Sequence, residues 1–138
     1  MKFTFMFLLI GFWACGGRPD PNLQLANPEA FAFDLGESWE VNASVSALGF
    51  AQEENDDQYS IKLSYFVDMV TPAADTLREI YDDFLDADDE EEFMDVILEA
   101  QLEIDSSFGE GTYKLIFNVK DEYSQQTRSV SVDFNLGK

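Results

Sequence analysis

The sequence predicts an all-β, antiparallel β-sandwich, on three observations. Near the C-terminus, Tyr113, Leu115, Phe117 and Val119 share one face under a period of two. Val130, Val132, Phe134 and Leu136 do the same after a polar turn at 121–126. Paired runs of this kind make an antiparallel hairpin. Upstream, Trp39, Val41, Ala43, Val45 and Ala47 alternate, and so do Tyr59, Ile61, Leu63, Tyr65, Val67 and Met69, with a polar loop between the two runs. A further run carries Leu98, Ala100, Leu102 and Ile104 on one face. Several half-buried strands at such spacing need a second sheet to cover them, which is a sandwich.

The chain opens with Lys2 and the apolar run Phe3–Ala14. A membrane-spanning helix needs about 20 apolar residues, so this run is too short to span and fits the apolar core of a secretory signal. Residues 1–14 therefore read as a signal peptide. The stretch Ala14-Cys15-Gly16-Gly17 resembles the lipobox of bacterial lipoproteins. That resemblance implies that Cys15 is lipidated and becomes the new N-terminus. It also implies a membrane-anchored lipoprotein of the cell envelope, in the outer membrane or facing the periplasm. Residues 15–28 hold Gly16, Gly17, Pro19, Pro21, Asn22, Asn27 and Pro28, a composition that disfavours regular structure. They read as the lipidated cysteine and a flexible tether, leaving 29–138 as the folded domain.

Within that domain, Gly111-Thr112-Tyr113-Lys114-Leu115 matches the tyrosine-corner pattern. The stretch 109–125 resembles the last strands of immunoglobulin-like, fibronectin-type and cadherin-like domains. The resemblance implies an immunoglobulin-like sandwich in which the Tyr113 hydroxyl bonds back to the loop before it, with Gly111 at the corner. Trp39 falls on an early strand and the paired cysteines of antibody domains are absent, so the likeness is to the loose architecture.

The acidic segment 75–95 admits either a short helix or an extra strand. Leu77, Ile80, Tyr81, Phe84 and Leu85 form a helical stripe, and Asp75 could cap it. Residues 94–104 alternate as a strand. Residues 75–105 hold half of the chain's 28 carboxylates. Oxygen-rich clusters suit hard cations, but an EF-hand loop fails in either register. Starting at Asp86 puts Glu91 where glycine must stand, and starting at Asp88 puts Phe93 there. Weak calcium contact by Asp86, Asp88 and Asp89 is the metal chemistry that this segment would support.

Composition narrows the function classes. The chain has 138 residues, 28 acidic against 8 basic side chains, a net charge of -20 and no histidine. Such a surface repels phosphate backbones, so nucleic acid is not an expected partner. Without histidine, neither a Ser-His-Asp nor a Cys-His nucleophile can be assembled, and ordinary zinc sites lack their ligands. The expectation is a non-enzymatic lipoprotein, held to a membrane by its lipid and acting on a protein partner as an accessory, assembly or adhesion module. No cofactor is expected beyond weak calcium. The alternative is a secreted, acidic calcium- or ligand-binding sandwich.

Overall fold

The computed structural model describes residues 20–137. The expected signal peptide, Cys15 and the first residues of the expected tether lie outside the described residues. The described chain is all strand and turn. It runs β1 (Gln24–Asp34), β2 (Ser38–Leu48), β3 (Glu53–Asn55), β4 (Gln58–Val70), β5 (Thr76–Asp89), β6 (Asp95–Asp105), β7 (Gly111–Asp121) and β8 (Thr127–Leu136). All pairings are antiparallel. One sheet has the order β1-β2-β6, and the other has β4 between β5 and β7, with β8 beyond β7 and the short β3 on the start of β4. The chain crosses between sheets after β2, β5 and β6. This differs from a constant-type immunoglobulin domain, in which the fourth strand joins the first sheet.

The core lies between the sheets and follows the period of two. Val41, Ala43, Val45 and Ala47 of β2 and Leu98, Ala100, Leu102 and Ile104 of β6 face Ile61, Leu63, Tyr65, Val67 and Met69 of β4 and Tyr113, Leu115, Phe117 and Val119 of β7. Trp39 is half-buried at the end of this row and packs against it. The Tyr65 hydroxyl donates to the Glu99 carbonyl at 2.6 Å, tying the second sheet to the first across the core. Tyr113 donates to the Gly109 carbonyl at 2.6 Å and stacks on Phe134 with ring centroids 5.5 Å apart. That is the contact a tyrosine corner makes. At Gly111 the backbone has φ +145 and a Cβ would stand 2.7 Å from the Pro72 ring, so the corner accepts no side chain.

Two expectations change and one open reading is settled. The folded domain starts before residue 29: Asn22 donates its N–H to the Gly49 carbonyl at 2.8 Å, Leu23 is fully buried, and β1 begins at Gln24. The Asn27-Pro28 pair is a β-bulge. Asn27 takes φ 52, and the register with β2 shifts between Ala26 and Glu29. Proline is tolerated at a bulge on an edge strand, where the ladder needs no N–H from it. Residues 76–85 are strand. The helical stripe arises because Leu77, Tyr81 and Leu85 are four apart, which is also an even, strand-compatible spacing. They oppose Met69, Val67 and Leu63, with a bulge at Glu79 (φ 52) between them. Finally, the polar loop before Tyr59 contains a small hairpin of β3 and β4. Asp56 (φ 50) and Asp57 (φ 65) supply the left-handed pair that a tight hairpin turn demands.

One end of the sandwich is fastened by a fully buried carboxylate. Asp121 accepts from the Ala51 N–H at 2.7 Å, the Tyr123 N–H at 3.1 Å and the Ser124 hydroxyl at 2.7 Å. In the same turn, Gln126 accepts from the Leu23 N–H and donates to the Pro21 carbonyl, each at 2.9 Å. The chain's entry, the β2–β3 loop and the β7–β8 turn thus form one hydrogen-bonded unit. Asp121→Asn keeps one acceptor but turns an amide toward buried donors, so equilibrium urea unfolding is expected to show a loss of about 2–4 kcal/mol. The exposed Asp133→Asn is expected to change stability by no more than about 0.5 kcal/mol.

Candidate functional site

The outer face of the second sheet carries a broad, open groove. Alternation along β4, β5, β7 and β8 turns Ser64 and Phe66, Asp82 and Phe84, Asn118 and Lys120, and Thr127 and Ser129 outward. Register aligns them in two rows across the strands. Phe84, Ser64, Lys120 and Thr127 form one row; Asp82, Phe66, Asn118 and Ser129 form the other. Together they line a shallow groove of about 740 Å³. Phe84 stands 70% exposed in it, opposite a serine, and Phe66 occupies the diagonal position. The two rings give an otherwise polar face an apolar spot.

Much of the groove's polar chemistry is spent internally. Ser129 donates to the Asn118 side-chain oxygen at 2.8 Å, while Ser64 donates to Glu122 at 2.6 Å. The Asn118 amide lies 3.4 Å from Asp68, whose other oxygen accepts the Glu79 N–H of the β5 bulge at 2.8 Å. The groove therefore has a rigid floor and is charged at its margins. Glu79, Asp82 and Asp83 line it from β5, with Lys120 and Arg128 from the β7–β8 side. Lys62, Lys114 and Lys120, the lysines among the described residues, all project from this face. Lys62 pairs with Asp86 at 4.0 Å and Lys120 with Glu122 at 3.8 Å, both at exposed sites where such pairs stabilise little.

Below the groove, Tyr65 and Tyr81 approach to 6.2 Å between ring centroids. Tyr81 also donates to Asp83 at 3.2 Å. Burial, reinforced by Tyr81 and the Asp83 charge, holds the Tyr65 phenol well above its ordinary value. Burial and then the bond to Asp83 raise Tyr81 as well. Both phenols stay protonated in the fold at pH values where the unfolded chain ionises. Their stabilisation is therefore complete below about pH 10 and falls as pH climbs beyond it. Unfolding midpoints measured from about pH 8 to 11 are expected to decline, and Tyr65→Phe to flatten that decline while losing about 1 kcal/mol at neutral pH.

The acidic residues singled out from the sequence lie on β5 and do not converge. Asp86 faces outward beside Lys62, and Asp88 accepts from Ser60 at 2.5 Å on that same face. Asp89 is the next residue along the strand and turns the other way, bonding the Glu91 N–H at 3.1 Å. Among the described residues no group of three or more His, Cys, Asp or Glu side chains is arranged to hold a metal ion. Calcium at about 1 mM, where extracellular calcium modules fill, is expected to leave the thermal midpoint within about 1 °C. A saturable upward shift would assign the segment a site.

Sequence reasoning singled out Tyr113, Gly111 and Trp39, and all three belong to the scaffold rather than the groove. It missed Phe66, Phe84 and Asn118. The available signal was an aromatic at an outward strand position, since Phe84 breaks the polar phase of β5 and Phe66 that of β4. No protein-family model and no curated protein matches the chain. It is similar in outline to a solved structure described as "X-ray structure of Northeast Structural Genomics Consortium target SoR45". The two are 8% identical, with a TM-score of 0.47, over 88% of this chain and 90% of that one.

Proposed function

We propose that this chain is a non-enzymatic, lipid-anchored accessory module of the cell envelope, presenting the grooved outer face of its second sheet to a protein partner. The observation that carries the reading is Cys15 in its lipobox-like setting, just upstream of the point where the chain joins the fold. Asn22 is already hydrogen-bonded to Gly49. Seven residues of chain reach at most about 25 Å. An acylated Cys15 would therefore hold the Gly49–Gln52 and Asp121–Gln126 end next to the membrane. Carboxylates concentrated there, including Asp56, Asp57 and Glu90–Glu92, disfavour adsorption to anionic lipid and keep the groove standing clear. Acylation with more than one chain would make the attachment durable.

The accessory role rests on the groove. It is open, its floor is internally bonded, and it shows an aromatic contact flanked by unlike charges. Such a surface suits recognition of another protein better than turnover of a small molecule. In cells given a clickable fatty acid, the protein is expected to be labelled and to lose the label in Cys15→Ser; label that survives the substitution overturns the anchor. Because the described lysines share the grooved face, an amine-directed crosslinker on intact cells is expected to join Lys62, Lys114 or Lys120 to one envelope protein. Reproducible absence of such links overturns the partner-facing role of this sheet.

A further inference from the structure

Three edges of the sandwich are guarded and one is not. An edge strand exposes unpaired N–H and C=O groups, and proteins blunt it with charge, bulges or proline. β5 carries Glu79, Asp82, Asp83, Asp86, Asp88 and Asp89 along its length, and Asp83 stays exposed between the half-buried Tyr81 and Leu85. β6 displays Asp95, Glu99, Glu103 and Asp105. β8 carries Arg128 and Asp133 at its own edge, and it runs beside β1 of the other sheet without forming a ladder with it. In β1 the bulge at Asn27-Pro28 closes off the first half of the edge. Beyond it, Phe31, Phe33 and Leu35 alternate outward at 58%, 53% and 56% exposed.

We propose that this second half of β1 is a self-association edge, pairing antiparallel with the same segment of a second copy about a two-fold axis at Ala32. The backbone sets the register. Leu35 donates to the Ser38 carbonyl at 2.9 Å, so the hydrogen-bonded positions toward β2 are Leu35, Phe33 and Phe31. The N–H and C=O groups of Ala30, Ala32 and Asp34 consequently point to the open edge, and β1 forms no ladder with β8. Centring the axis on Ala32 matches these groups to each other: Ala32 with the second Ala32, and Ala30 with the second Asp34. The same register sets Phe31 opposite the second Phe33 in the non-hydrogen-bonded position, where side chains approach most closely. Glu29 falls opposite Leu35, so no carboxylate faces another along the seam. Ala30 and Ala32 are small and only half-buried, leaving the backbone within reach.

The occupant is a second copy because the edge is self-complementary in hydrogen-bond phase and in aromatic pairing, and this register sets no carboxylate directly opposite another. A two-fold seam consumes the free edge of each copy, and the guarded β6 edges stop the joined sheet from extending into a filament. Long-range repulsion between two chains of net charge -20 opposes the pairing, and salt screens it. This dimer therefore tightens as ionic strength rises, the reverse of docking to a basic partner. The inference is independent of the proposed anchor and groove, and its test removes the native thiol.

In a full-chain Cys15→Ser background, Phe31→Cys and Phe33→Cys variants are mixed and oxidised at low and high salt. The mixture is expected to form a disulfide-linked dimer more strongly at high salt, whereas either variant alone forms little, because only positions 31 and 33 face one another. Sedimentation of the Cys15→Ser protein should show mass moving toward the dimer with salt. Phe33→Lys is expected to weaken association about tenfold or more, since it strikes both symmetry-related pairs. Its unfolding midpoint should stay within experimental scatter of the parent, because Phe33 is exposed. A monomer at every salt concentration, or equal crosslinking by mixed and single variants, overturns the proposal.

Discussion

A single carboxylate out of reach of solvent, Asp121, sets the geometry of one whole end of the molecule. The sheets are held together by apolar packing, which is non-directional and fixes how much is buried rather than where the loops lie. Direction comes from Asp121 and Gln126. Their bonds to Ala51, Ser124, Leu23 and Pro21 join the chain's entry, the first inter-sheet crossing and the last hairpin. Gly49 completes the arrangement: with φ +72 and the Asn22 carbonyl 2.0 Å from where a Cβ would stand, no other residue lets the entry segment lie so close. The position of β1, and with it the bulge and the exposed phenylalanines, follows from this fixed entry.

The strands were legible wherever one face is buried, because burial imposes the period of two. β2, β4, β6, β7 and β8 all show it, and the Tyr113 corner was readable from five residues. Legibility failed where tertiary context overrides local chemistry. Asn27-Pro28 has the composition of a linker, yet on an edge strand those residue types serve equally to build a bulge. The stripe of Leu77, Tyr81 and Leu85 is ambiguous because a spacing of four satisfies a helix turn and a strand face alike. The groove was harder still. It is assembled from four strands whose neighbours in space are up to about sixty positions apart in the chain, and register, which no single strand reveals, brings Phe66 beside Asp82 and Asn118.

Charge and shape divide the surface between them. An excess of carboxylates costs the compact state some self-repulsion. The fold places many of them where they also prevent unwanted strand pairing, on β5 and β6. Among the described residues, buried carboxylates are confined to Asp121 and Asp68, and each is satisfied by donors from another strand or loop. The described lysines gather on one face, among Asp82, Asp86, Asp88 and Asp133, so that face presents both signs of charge. Electrostatic complementarity to such a face steers a partner before any contact is made.

The placement of the chain's entry has a mechanical consequence. Asn22 is fixed at the end of the sandwich that holds Gly49 and Asp121, whereas β8 finishes at the opposite end, with Leu136 across from Gly111. β1 and β8 thus run side by side in the same direction, and the two ends of the fold emerge at opposite poles. A pulling force applied between those poles lies along the strands. It loads the β1–β2 and β7–β8 ladders in shear, so that many hydrogen bonds must yield together instead of opening one by one like a zip. The domain is built as a strut along its long axis, stiff toward tension that enters through its termini.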